Sequence, residues 1–306
     1  MRLKLGRPDI GRYADRFNVP AADGDLSVTF LGVSSLLFDD GQSAFLTDGF
    51  FSRPSLLRVA VSRIAPDPKR IDTALSRADI GRLDAVVPVH THFDHGLDAA
   101  AVAARTGATL FGSESAAYIG RGGGLPDGQI AVARSAHEQS FGSFTLTLIA
   151  STHCPPDRYP GAITEPLAPP ARADAYKCGE AWSILVEHTT GRTALVQGSA
   201  GYVAGSLEGR RADVAYLGVG QLGLLDDDYV TAYWQHTVRA VGAKRAVLIH
   251  WDDFFRPLDQ PLRALPYAGD DLDATMRRLE RLAAADDVTL HFPTVWQRED
   301  PWSGLT

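Results

Sequence analysis

Residues 85–95 read AVVPVHTHFDH, running from Ala85 to His95. The first five are apolar and mostly β-branched, the composition of a short buried strand. The next six hold His90, His92, Asp94 and His95. Imidazole nitrogen and carboxylate oxygen are the donors that zinc and related divalent ions take. Side chains two apart in extended chain point the same way, so His90 and His92 are placed to share one ion. Asp94 and His95 fall on the turn into the next helix and are placed to face a second. A loop leaving a buried strand is a common position for such groups, because the scaffold fixes it while its side chains stay accessible.

Upstream, Leu26–Leu31, Ser35–Phe38 and Ala44–Thr47 are short β-rich runs separated by Gly32 and by Asp39-Asp40-Gly41, which is the grammar of antiparallel hairpins. Downstream, the pattern alternates. Leu97–Arg105 reads as helix, Thr109–Phe111 as strand and Glu114–Ile119 as helix. Strands follow at Phe144–Ala150, Trp182–Glu187, Thr193–Gln197 and Val214–Val219. Then come a helix at Tyr229–Val241, a strand at Ala246–His250, a helix at Leu272–Ala284 and a strand at Val288–Phe292. Antiparallel strands followed by strand–helix alternation predict two mixed sheets packed face to face with helices on the outer faces, an α+β sandwich. No internal repeat is visible. The expected organisation is one domain over residues 1–306, with 1–25 as an N-terminal arm.

Hydrophobic residues are 45% of the 306 and charged residues 22%, enough apolar material for a core that needs no structural metal or disulfide. The formal net charge of −7 argues against a nucleic-acid backbone as partner. Cys154 and Cys178 are the only cysteines, which is no disulfide framework and suits a reducing compartment. No apolar run reaches the roughly 18–20 residues that span a bilayer, and no apolar segment follows the early arginines as in a secretory leader. The expectation is a cytoplasmic protein with a small-molecule substrate and no membrane span; the oligomeric state is not readable.

HTHFDH resembles the HxHxDH signature of the metallo-β-lactamase superfamily. The likeness continues at Thr47-Asp48-Gly49, at Ser151-Thr152-His153 and at Ile249-His250-Trp251-Asp252, so that it covers about Leu26 to Asp253. The Gly201-Tyr202 turn is similar to the branch of ascorbate-phosphate lactonases and phospholipase-D-like hydrolases of N-acyl phosphatidylethanolamines. The resemblance implies an αβ/βα sandwich that binds two zinc or related ions. Carried over, His90, His92 and His153 would hold the first metal, and Asp94, His95 and His250 the second. Asp48 would orient ligands rather than bind. The family usually bridges its metals with the Asp of a Gly-Asp turn. Here the turn after Thr193–Gln197 reads Gly198-Ser199, and a hydroxyl at Ser199 is a weak ligand or none, so the second ion is expected to be held loosely. Zinc is the first choice, with one or two ions, and manganese or iron suits the same donors.

An ion held by three imidazoles with one position open lowers the pKa of bound water to about 7. The expected activity is therefore metal-dependent hydrolysis of an ester, lactone or phosphodiester by the resulting hydroxide, with Asp94 orienting it. A nuclease on the same fold, and a non-catalytic metal-binding protein with a degraded second site, are the alternatives. Residues 154–180 carry Pro155, Pro156, Pro160, Pro166, Pro169 and Pro170 and form no long regular element. Such a segment after His153 reads as a lid or wall. Within it Arg158, Tyr159, Arg172, Tyr176 and Lys177 are candidate substrate contacts. Ser199 has no base beside it to make a nucleophile, and Cys154 is expected to point away from the metals. His137, His188, His236 and His291 fit no ligand spacing.

Overall fold

In the computed structural model, which describes residues 4–305, most strands are apolar on both faces. Chain order gives β1 (Ser27–Phe30), β2 (Leu36–Asp39), β3 (Ala44–Thr47), α1 (Leu56–Val61), β4 (Arg63–Ile64), α2 (Pro68–Arg77), β5 (Ala85–Val87), α3 (Phe93–Gly96), α4 (Ala99–Thr106), β6 (Thr109–Gly112), α5 (Glu114–Gly122) and β7 (Ile130–Val132). The second half gives β8 (Glu138–Phe141), β9 (Phe144–Ser151), β10 (Ala171–Arg172), β11 (Ala181–His188), β12 (Thr193–Gln197), β13 (Val214–Gly218), α6 (Asp227–Trp234), β14 (Arg245–Ile249), α7 (Leu272–Asp286), β15 (Thr289–His291) and β16 (Arg298–Glu299).

Two seven-stranded sheets result, β16-β1-β2-β3-β5-β6-β7 and β15-β14-β13-β12-β11-β9-β8. Each is antiparallel at one side and parallel at the other. β1, β2 and β3 pair antiparallel and β3, β5, β6 and β7 parallel; β8, β9, β11 and β12 pair antiparallel and β12, β13, β14 and β15 parallel. Side-chain alternation then sorts the core into layers. Phe38, Phe45, Ala85 and Val87 of the first sheet meet Leu146, Ile184, Val196 and Val247 of the second. Their neighbours Leu37, Leu46 and Val86 face the other way, onto Ile71 and Leu75 of α2, Ala103 of α4 and Ile119 of α5. Leu195, Leu217 and Leu248 do the same toward Tyr233 and Trp234 of α6 and Met276 and Leu279 of α7. The expected sandwich of two mixed sheets with helices outside is the observed one.

Several elements differ from the sequence reading. The strand at 85–89 stops at Val87, since Pro88 has no N–H for a ladder. The helix expected at Tyr229–Val241 is α-helical over Asp227–Trp234 and turns π-helical over Gln235–Arg239, a widening that a 3.6-residue pattern does not reveal. α2 starts on a local signal: the Asp67 carboxylate accepts from the amides of Lys69 and Arg70, and Pro68 opens the helix. The arm is docked, with Tyr13 donating to Asp273 at 2.8 Å and Phe17 packed on Trp251 and Phe292. No helix among the described residues is long and apolar enough to cross a membrane.

Candidate metal centre

The strand directions collect the candidate residues at one edge. β3 and β5 run parallel, so Asp48 and His90 leave at the same end. β9 and β12 are each antiparallel to β11, and β12, β13 and β14 are parallel, so His153, Ser199 and His250 also leave together. Backbone strain gathers here. Asp48 and His250 have φ of 54° and 59°, and the β-branched Val33 has 55° while its carbonyl accepts from the His250 amide. Such non-glycine residues cost energy and persist where surrounding contacts enforce them.

Two donor groups form side by side. Ligand atoms of His90, His92 and His153 lie within 4.8 Å of one another, and so do those of Asp94, His95 and His250. His90 Nε2 is 3.1 Å from His92 Nδ1, and the His90 and His95 rings join the groups with centroids 3.9 Å apart. His250 Nε2 and His95 Nε2 stand 3.4 and 3.6 Å from Asp94 Oδ2. In each group one histidine is half-buried and the other members are buried, so the site opens to solvent at His153 and His250.

Proton positions suit a cation. His95 Nδ1 lies 2.8 Å from Asp48 Oδ2, an atom that accepts only, so the proton sits on Nδ1 and the Nε2 lone pair turns toward Asp94 and His250. That Nε2 is buried with no hydrogen-bond partner, which is costly unless something electropositive meets it. Asp48 also accepts from the Ser34 hydroxyl at 2.6 Å and from the Val89 amide at 2.8 Å. Its Oδ2 thereby fixes the His95 ring. His153 Nδ1 donates to the Cys154 carbonyl at 2.6 Å, which leaves its Nε2 free. Burial, reinforced by the other imidazoles, holds His90 well below the ordinary histidine pKa. Burial, then His92, pulls His153 down to about 4. Burial also lowers His92. These rings are therefore neutral at pH 7, the form that binds metal. Burial alone would raise Asp94, but His95 and His250 outweigh it and the carboxyl stays ionised. Asp48 and Asp94 likewise outweigh burial at His95 and raise its pKa, so a metal ion at Nε2 competes with a second proton there. Neutral imidazoles, an ionised carboxylate and an orphaned lone pair are a donor set that fits one or two divalent ions.

Not every candidate falls in this centre. Ser199 Oγ accepts the Cys154 amide at 2.9 Å and so fastens the turn to the chain after His153. Gly201 touches the same segment: a Cβ there would lie 2.0 Å from the Thr152 carbonyl oxygen, so only glycine allows the approach. Cys154 points into the core beneath α6, and both cysteines are free. Tyr176 requires correction as a substrate contact. Pairing of β10 with β4 draws it inward, where it is 1% exposed. Arg158 and Arg172 are exposed, and Lys177 is half-buried with its carbonyl accepting from Thr91 Oγ1. The segment 154–180 passes over His92, with the Tyr159 ring 6.0 Å from that imidazole, and returns to bond Thr91 N to the Cys178 carbonyl. Across the site Phe254 stands 5.7 Å from His250 and packs on Phe93 and Phe255. His188 pairs with Asp40, His291 bonds Asn18, His236 stacks on Tyr202, and His137 is exposed. Ser34, Asp157 and Phe254 also border this centre and carry no spacing signal in the sequence.

No family profile and no curated protein matches the chain. Solved structures do. Igni18, a metallo hydrolase from the archaeon Ignicoccus hospitalis, aligns with a TM-score of 0.50 at 15% identity, covering 90% of this chain and 96% of that one. An isothiocyanate hydrolase from Delia radicum gut bacteria aligns at 0.54 with 16% identity, over 88% and 96%. This chain shares the fold of these two hydrolases. CmlA, a diiron β-hydroxylase from Streptomyces venezuelae, shares that architecture at 0.53 and 12% identity, over 90% of this chain and 54% of its own. At these identities the likeness speaks for the fold alone, and the chemistry has to come from the side chains at the strand ends.

Proposed function

We propose that the chain is a metal-dependent hydrolase of the metallo-β-lactamase type, working as one domain on a small molecule with an ester, lactone or phosphodiester bond. The observation that carries this is the pair of adjacent donor groups at one sandwich edge, with the His95 and His153 lone pairs already turned inward. His90, His92 and His153 would hold one ion, and Asp94, His95 and His250 a second. Zinc is the ion these donors suit best, with manganese or iron as alternatives. Such ions supply a Lewis acid that polarises a carbonyl or phosphoryl oxygen and acidifies water. Asp94, kept ionised by His95 and His250, accepts a hydrogen bond from the attacking water and orients it. Phe93, Phe254 and Phe255 flank the His250 side and Tyr159 the His92 side. These rings exclude water and suit a substrate with an apolar part. Arg158, on the exposed rim of the wall, is the candidate for an anionic group. The turn at Gly201-Tyr202 keeps the lactonase and phospholipase-D-like branch as the finer reading.

One observation favours a second reading, metal binding without turnover: Ser199, which the resemblance puts at the family's bridging carboxylate, spends its hydroxyl on the Cys154 amide. The test is a panel of lactones, carboxylic esters and phosphodiesters offered to zinc-loaded and metal-stripped protein, with His92→Ala beside them. Zinc-dependent turnover lost in the variant is expected. Equal turnover by stripped and loaded protein would end the proposal, and no turnover with tight zinc uptake would select the second reading.

A further inference from the structure

His92 has a second set of neighbours on the side away from His90. Its Nε2 lies 3.1 Å from Asp157 Oδ1 and 3.3 Å from the Tyr159 carbonyl oxygen. Cys178 completes the group, with ligand atoms of His92, Asp157 and Cys178 within 4.8 Å of one another. All of these neighbours except His92 come from the Pro-rich wall, and Asp157 is fixed within it because its Oδ1 also accepts the Tyr159 amide at 3.0 Å. The wall is tied in turn to the histidine loop, since Cys178 N donates to the Tyr159 carbonyl and Thr91 N to the Cys178 carbonyl.

A group of His, Asp and Cys has the donor types of a metal site, so two uses compete. The hydrogen-bond chemistry decides between them. A carboxylate and a peptide carbonyl both accept only. An imidazole nitrogen facing two such atoms carries the proton, and its other nitrogen then carries the lone pair. For His92 that other nitrogen is Nδ1, which is 3.1 Å from His90 Nε2. A metal on Nε2 would require this proton to leave while Nδ1 serves the neighbouring group.

We propose that Asp157 is the positioning residue of the first metal group: its charge, beside the hydrogen bond from His92 Nε2 to the Tyr159 carbonyl, keeps the proton on Nε2, aims Nδ1 at the ion, and makes the Pro-rich wall part of the metal site. The Cys178 thiol supports the carboxylate and does not bind metal. Hydrogen bonds to the far nitrogen of a metal-binding histidine fix its tautomer and raise its basicity, and their loss costs about 10–100-fold in metal affinity. The inference rests on the metal reading, but its first test does not.

Long-range proton–nitrogen NMR on metal-free, 15N-histidine-labelled protein reads the tautomer directly. His92 is expected with its proton on Nε2 in the wild type and with a larger Nδ1–H fraction in Asp157→Ala, where the Tyr159 carbonyl alone remains to accept; a wild-type proton on Nδ1, or the same tautomer ratio in the variant, overturns the proposal. Chelator competition then reads zinc affinity. Asp157→Ala is expected to lose about 10–100-fold, and Asp157→Asn, which keeps an acceptor oxygen, clearly less. Affinity in Asp157→Ala within about twofold of wild type would refute the role. Cys178→Ala is expected to keep its zinc stoichiometry; loss of a bound zinc would assign the group to an ion instead. If wild-type protein takes up no zinc, the proposed activity fails while the tautomer still decides for or against Asp157.

Discussion

Replacing Asp48 by Asn changes one charge and no volume at the point that orients the second donor group. Three donors converge on this buried carboxylate: the Val89 amide on Oδ1, and the Ser34 hydroxyl and His95 Nδ1 on Oδ2. Asn offers one oxygen and an NH2. The rotamer that keeps its oxygen on Val89 lets the Ser34 hydroxyl turn and accept from the NH2, so the loss falls on His95. A buried donor stripped of its acceptor costs about 1–3 kcal/mol, and that is the expected drop in the urea stability of the metal-free protein. Freed from the carboxylate, His95 moves its proton to Nε2, the nitrogen that faces Asp94 and His250. Loss of such an orienting contact weakens metal binding by about 10–100-fold, which is about 1.4–2.7 kcal/mol. None of the first group's side chains bonds Asp48, so that group should change little. Zinc titration calorimetry on stripped protein separates the two. Equal weakening of both sites, or of neither, would show that Asp48 does not act through His95.

The remaining predictions concern charge elsewhere in the fold. Ser199→Asp should tighten the second site, seen as a steeper second phase in the same titration; no gain would mean that the Gly198-Ser199 turn is not the bridging position. Asp252 and Arg53 form a fully buried ion pair, and Asp252 Oδ1 also accepts the Val33 amide at 2.9 Å. Asp252→Ala should therefore cost about 3–5 kcal/mol by leaving a buried guanidinium unpaired, and a thermal midpoint like the wild type's would contradict this. Burial, offset in part by the Thr294 amide, pushes Glu299 from 4.5 up to about 8. The folded protein then keeps a proton that the unfolded chain has lost between these values, so stability falls as pH rises through that window, by at most about 1.4 kcal/mol per unit. Glu299→Gln should flatten the decline in urea midpoint between about pH 5 and pH 9; an unchanged slope would place the titration elsewhere.

The histidine run was legible because its donors are contiguous and the strand before it is plainly apolar. The two sheets were legible for a similar reason, since alternation and turn residues are local signals. What escaped were consequences of chain return. Asp157 reaches His92 only because the Pro-rich segment doubles back and bonds Thr91, and Ser34 reaches Asp48 only across a hairpin. Tyr176 looked like a loop residue open to substrate, yet the short pairing of β4 with β10 buries it. The prolines of the same segment mark it as irregular chain, but Ile163, Ala171 and Ala173 seat it in the core beside the first sheet. Removing the segment would thus unfold structure as well as alter selectivity, so point changes at Tyr159 are the cleaner probe of its role.

Anomalous diffraction at the zinc edge, from crystals grown with zinc, bears most directly on the central claim. A strong peak enclosed by His90, His92 and His153, with a weaker one enclosed by Asp94, His95 and His250, is the predicted result. No peak in either group, or a peak held by Asp157 and Cys178 in their place, would contradict it.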